Sequence, residues 1–222
     1  MSRKTFVGMA AAMLCLMVCT SLSATQLTVS SYSMNNGATG GYDYHDFTYL
    51  PCPGNNCNIT GAYLSGGTGK LTDGVSPTLS WDQTGVNTPW VGWDVNQGGL
   101  NPTITFNFGG PVTVNSVTVW VDNTIGRGNV YLPDGFSVNG NYYAIAPDNV
   151  NPAPRGYTLN GLNLTGSSVD VQFFQSTQNG GWPWLMVGEV TFNGSPTPEP
   201  ATLALTGGGL ALAWWRRRKA GA

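Results

Sequence analysis

The 222-residue chain predicts an all-β exported domain, and three observations carry that prediction. Apolar residues recur with period two between Gly, Asn and Pro turn signals, and no stretch sustains a helical period. Only 9% of residues are charged, yet Val, Phe, Tyr and Trp are abundant enough to bury a core, so the composition is not that of a disordered chain. Both ends carry segments that belong to export rather than to the domain.

At the N-terminus, Ser2-Arg3-Lys4, the apolar run Phe6 to Cys19 and the small residues Ser21, Ser23 and Ala24 have the three regions of a secretory signal peptide. The signal spans residues 1–24, with cleavage near Ala24. At the other end, Pro198-Glu199-Pro200 precedes an apolar run over residues 201–215 and the basic cluster Arg216-Arg217-Arg218-Lys219. A helix over that run rises about 23 Å, short of the ~30 Å hydrocarbon core. Three consecutive glycines, Gly207 to Gly209, weaken it by roughly 1 kcal/mol each. The terminal basic cluster places the chain's end in the cytoplasm and everything before it outside.

Pro-Glu-Pro, a short apolar helix and a terminal Arg cluster, in that order, resemble the PEP-CTERM sorting signal of Gram-negative bacteria over residues 196–222. The resemblance implies processing by a membrane-embedded, exosortase-type enzyme and delivery to the cell surface or extracellular matrix, with Pro198, Glu199, Pro200, Arg216, Arg217 and Arg218 as the signal. An ordinary single-pass anchor is the alternative, and both place the domain outside.

Setting the ends aside leaves residues 25–195, enough for one domain with a sizeable core. Six of the nine basic residues lie in the end segments, leaving Lys70, Arg127 and Arg155 against ten acids, a net charge of −7. Such a surface lacks the phosphate-neutralising side chains that dominate nucleic-acid affinity, so nucleic acid is excluded. Cys52 and Cys57 are the only cysteines outside the signal, and in an oxidising compartment they pair as a local disulfide.

Along the domain, Leu27 and Val29 suggest a short first strand, 35–41 a loop, and Tyr42 to Asp46 a surface segment in which His45 carries no role. Thr103 to Phe108 alternates with Ile104, Phe106 and Phe108 on one face, and Gly109-Gly110-Pro111 is expected to end it. Val112 and Val114, then Val117, Val119 and Val121, slip by one at Asn115-Ser116, which a bulge repairs. Asn139-Gly140 and Asn160-Gly161 each predict a hairpin. The closing strands are Val169 to Phe174 and Leu185 to Phe192, and an extended linker is expected from Gly194 onwards. The pattern fits a sandwich or a barrel.

Leu71-Thr72-Asp73-Gly74, Trp90-Val91-Gly92-Trp93-Asp94, the run Thr103 to Val121 and Val187 to Phe192 together resemble a galactose-binding-like domain of the discoidin or coagulation-factor type C superfamily, over a core of about 63–193. The resemblance implies a jelly-roll β-sandwich acting as a carbohydrate-binding module. It also implies a structural calcium held by Asp73 and Glu189 with backbone carbonyls and Ser76 or Thr78. Ligand residues are weighed on their own physics. Trp182 and Trp184 in one loop and Trp90 in another offer flat faces to sugar rings, with Asp82, Asp94 or Asn87 accepting hydroxyl hydrogen bonds. Trp93 and Trp120 are expected in the core.

No Gly-x-Ser-x-Gly, His-Glu-x-x-His or P-loop pattern occurs, and His45 is the sole histidine. Glu189 is the sole glutamate of the domain, which leaves a glycosidase carboxylate pair to the aspartates. The reading is non-catalytic, a surface protein binding extracellular polysaccharide; the alternatives are a structural matrix component with no ligand site and, behind it, a glycoside hydrolase.

Overall fold

A computed structural model describes residues 25–38, 44–84, 89–94, 101–178 and 183–197, together with Gly209. The segment read as a signal peptide, residues 1–24, and the segment read as a sorting signal, apart from Pro196, Thr197 and Gly209, lie outside the described residues. The strands are β1 (Thr25–Leu27), β2 (Ser31–Asn35), β3 (Tyr63–Gly67), β4 (Val91–Trp93), β5 (Thr103–Val121), β6 (Gly135–Val138), β7 (Asn141–Ala144), β8 (Arg155–Phe174) and β9 (Leu185–Pro196).

The pairings between the described strands are antiparallel, and two long strands, β5 and β8, run side by side through the described domain. Their pairing breaks register between Asn107 and Val112, which divides the hydrogen-bonded network into two layers. The first layer joins β3, β2, the start of β5, the end of β8, β6 and β7. The second joins the rest of β5 and β8 to β9, with β1 and β4 both on the far edge of β9. Phe192 of the second layer meets Phe106 and Phe108 of the first at ring separations of 5.0 and 5.2 Å. The molecule is a β-sandwich.

The alternation in β5 is realised as read: Ile104, Phe106, Phe108, Val112, Val114, Val117, Val119 and Val121 are buried, and register slips between Val114 and Ser116. Gly109-Gly110-Pro111 does not end the strand. Gly109 takes a φ of 73° and the chain bends there from one layer into the other. Asn139-Gly140 makes its hairpin, with φ of 46° and 81° joining β6 to β7. Asn160-Gly161 does not: both flanking runs pair with β5, so the left-handed Gly161 and Asn163 form a bulge within β8 instead.

The core extends further toward the N-terminus than residue 63. Tyr32, Met34 and Tyr49 are fully buried, and Tyr44, His45 and Asp46 are buried rather than on the surface. Asp46 explains why that segment turns inward. Its carboxylate accepts the Tyr32 hydroxyl, the Thr48 hydroxyl (3.1 Å) and the Lys70 backbone N–H (3.1 Å). Burial raises its pKa, and those donors oppose the shift. Lys70 donates its ammonium to the His45 and Trp90 carbonyls at 2.9 and 3.3 Å and lies over the Phe47 ring. Cys52 and Cys57 are bonded, with Cα atoms 5.8 Å apart. Trp93 is in the core as expected, whereas Trp120 is half-buried on the outer face of β5, over Gly156 of β8. The strand β9 runs on to Pro196, and the Thr197 N–H donates to the Pro111 carbonyl (3.0 Å), so ordered structure outlasts the expected start of the linker.

Candidate functional site

At the end of the sandwich where β9 begins, four connecting segments converge on an aromatic cleft. It has about 50 Å³ of room and is lined by Tyr44, Trp81, Gly128, Val130, Trp184 and Met186. Tyr44 meets both indoles edge-on, at centroid distances of 6.1 Å to Trp81 and 5.6 Å to Trp184.

Each wall is fixed by hydrogen bonds. Trp81 opens a 3-10 turn, Trp81–Gln83, whose N-terminus is closed by reciprocal bonds between Ser80 and Gln83. Its backbone N–H donates to Asp122 (2.7 Å) and its indole N–H to the Thr124 hydroxyl (3.2 Å). The Thr124 hydroxyl in turn donates to the Arg127 carbonyl (2.8 Å). Trp184 donates its backbone N–H to the Asn129 carbonyl (2.8 Å) and bridges to Val130. Between these anchors Ile125, Gly126, Gly128 and Asn129 all have φ between 53° and 81°. A β-branched residue in that region stores of order 1–3 kcal/mol, which the surrounding bonds must hold. The result is that Gly128 lies flush against the Trp81 ring. Arg127 and Asp82 close the rim with an ion pair at 2.6 Å. Asp122 is fully buried below it, and burial raises its pKa against the opposing bonds from Trp81, Ser80 and Asn123.

Of the residues chosen from the sequence, Trp184 lines the cleft and Asp82 stands at its rim. Trp90 is corrected: it is fully buried beneath the cleft, packed with Tyr44, Val130 and Met186, and shows no face to solvent. Asp94 is also buried, at the end of β4, and is not a rim acceptor. Trp182 and Asn87 lie outside the described residues. Tyr44 and Trp81 were missed. The Ser80-x-x-Gln83 spacing is a legible helix-start signal and places Trp81 on an exposed first turn, but Tyr44 carries no such mark.

A second cluster joins the 3-10 turn Lys70–Thr72 to β9. Glu189 is 2% exposed and accepts the Gly74 N–H (3.3 Å). Burial and then the charge of Asp73 push its carboxyl up to about 8. The neighbouring Thr72 hydroxyl is buried with no hydrogen-bond partner. Among the described residues no group of three His, Cys, Asp or Glu side chains gathers, so the carboxyls here number two.

No family model matches the chain, and no curated protein does. Solved structures give distant similarities. An F-lectin from striped bass (Morone saxatilis) serum is 13% identical at a TM-score of 0.43, covering 79% of this chain and 50% of that one. The C-terminal domain of a chitobiase from Bacteroides fragilis is 12% identical at a TM-score of 0.42, covering 78% and 100%. A family 89 glycoside hydrolase from Clostridium perfringens is 13% identical at a TM-score of 0.39, covering 78% of this chain but only 15% of that one.

Proposed function

We propose that this is an exported surface or extracellular-matrix protein whose β-sandwich binds carbohydrate without catalysis, in the cleft formed by Tyr44, Trp81 and Trp184. The observation that carries the proposal is the cleft itself: two indoles locked by backbone bonds, with a donor and an acceptor, Arg127 and Asp82, at the rim. Apolar walls with few, fixed polar groups are what recognise a sugar ring, whose C–H face stacks and whose hydroxyls bond. With Lys70 buried and both arginines in ion pairs, the acidic domain suits an uncharged sugar better than a polyanion.

Binding to a glycan array, quantified by calorimetry on hits, tests the reading. Trp184→Ala or Trp81→Ala should weaken binding at least tenfold, since a central aromatic contact contributes about 2 kcal/mol or more. Unchanged melting would show that the fold persists. An absence of any glycan ligand favours the other reading, a structural matrix component, for which the small volume of the cleft speaks.

The sorting reading rests on the sequence of residues 196–222 and predicts an exosortase-type processing enzyme as partner. Mass spectrometry of the mature C-terminus decides between a cleaved signal and an anchor retained through Arg218. The Asp73 and Glu189 carboxyls, the partnerless Thr72 hydroxyl and nearby carbonyls fit a hard cation such as calcium, which takes six to eight oxygens. A cation there would neutralise two facing carboxyls and tie the 3-10 turn Lys70–Thr72 to β9. The loop that continues from this turn ends at Trp81.

A further inference from the structure

Both ends of the described domain leave it on one side, opposite the cleft. β9 starts next to Trp184 and ends at Pro196, so it spans the sandwich from the cleft to the point where the chain departs. At ~3.3 Å per residue, Trp184 and Thr197 are about 40 Å apart. The departing chain is pinned there, with the Thr197 N–H on the Pro111 carbonyl and its hydroxyl 3.5 Å from that of Thr113. The N-terminal strand sits at the same end, with Thr25 opposite Gly194. The segments that carry Trp81, Val130 and Trp184 sit at the other end, because β4 pairs with Leu185 to Val187 and Val121 pairs with Val187.

Charge divides along the same axis. The departure end is built from the β5 bend and its neighbours: Ser30, Gly110, Pro111, Ser167, Pro196 and Thr197, all uncharged. Asp170, the nearest exposed acid, sits further along β8, opposite Thr105 and bonded to its hydroxyl (2.7 Å). The charged side chains gather toward the cleft end, where Asp82 pairs with Arg127 and Asp148 with Arg155, Asp94 and Asp122 are buried, and Asp134 accepts the Thr177 N–H.

We infer that the domain stands end-on, its uncharged departure end facing the lipid surface to which residues 198–222 attach it and its cleft held about 40 Å away. This rests on the membrane reading of the tail. Two physical terms favour the orientation. The tail leaves a strand that is hydrogen-bonded to its last residues, so little free chain remains to let the domain lie on its side. The charged groups of the cleft end also stay in water, whereas the uncharged departure end approaches the interface without a charge to desolvate. The cleft is then offered to glycan away from its own membrane rather than to headgroups beneath it.

The chain from Thr25 onwards, carrying one dye at Ser167→Cys or at Val150→Cys, is reconstituted into vesicles of phosphatidylethanolamine and phosphatidylglycerol containing headgroup-nitroxide lipid. Ser167 is exposed at the departure end, and Val150, 79% exposed, lies beside the Asn123 loop at the cleft end. Quenching should be several-fold stronger at position 167 than at 150. Equal or reversed quenching, or a chain that floats with the vesicles while neither dye is quenched, overturns the orientation alone. A chain that does not float with the vesicles overturns the tail reading, and the inference with it.

Discussion

At Gly128 two requirements coincide. Its φ is 61°, where an L side chain is strained, and a Cβ there would overlap the Trp81 indole. Gly128→Ala should therefore displace Trp81, abolish glycan binding and lower stability by roughly 1–2 kcal/mol. Calorimetric titration with thermal melting separates the two effects. Glu189 makes a different residue-scale prediction. In the unfolded chain its carboxyl ionises near 4.5, in the fold near 8, so the folded state holds the proton more tightly. Its stabilising contribution is complete below about pH 4.5 and is lost as pH rises through about 8. Melting temperature in chelator should fall across that window, with buried Asp46 and Asp122 adding a shift of the same sign. Calcium should flatten the Glu189 part, and Glu189→Gln should remove both that part and the response to calcium. A melting profile in which calcium changes nothing would sink the cation site. The sequence showed these acids but not their burial, and it ranked the tryptophans poorly for the same reason. Trp90 and Trp184 are both loop-adjacent aromatics, and the packing of Tyr44, Val130 and Met186 over Trp90 is what covers one and leaves the other in the cleft wall.

Among the elements, β5 was legible because a half-buried strand writes its facing into the sequence, including the slip at Asn115-Ser116. The two Asn-Gly pairs show the limit of that reading. Locally they are equivalent, and each puts its glycine at positive φ. Asn139-Gly140 turns because β6 and β7 pair with each other, whereas Asn160-Gly161 bulges because β5 offers both flanks a longer partner. That choice is made by non-local pairing. It also has a use, since β8 from Arg155 to Gly166 has β5 on one side and no described strand on the other. A bulge with two left-handed residues disrupts the exposed edge and guards against strand addition. A Cβ at Gly140 or at Gly161 would meet nothing within 4 Å, so alanine at either position tests backbone strain alone. Each should cost roughly 1–2 kcal/mol by denaturant titration. Gly161→Ala should also raise the tendency to self-associate, measured by light scattering, if relief of the strain flattens the edge.

For the whole molecule, the sandwich was predictable in kind because alternation and turn signals require two packed faces, but the division into layers was not. It depends on β5 bending at Gly109 and crossing, with β8 beside it, from one layer to the other, where the sequence reads as a stop. Charge is the property that acts at this scale. With ten acids against three cations outside the end segments, and with Lys70 buried, the field around the domain is negative at every distance from which a polymer approaches. A neutral glycan does not sense that field, so its affinity should stay constant between low and high salt. A polyanionic polysaccharide would be repelled at low ionic strength and bind more tightly as added salt shortens the screening length below ~10 Å. Calorimetric titrations in rising sodium chloride, with calcium held fixed so that no cation bridge varies, distinguish the two. A flat profile is the expected result. Affinity that climbs with salt would overturn the neutral-ligand assignment while leaving the aromatic cleft as the binding site, and affinity that falls with salt would require a cationic surface that the described residues do not possess.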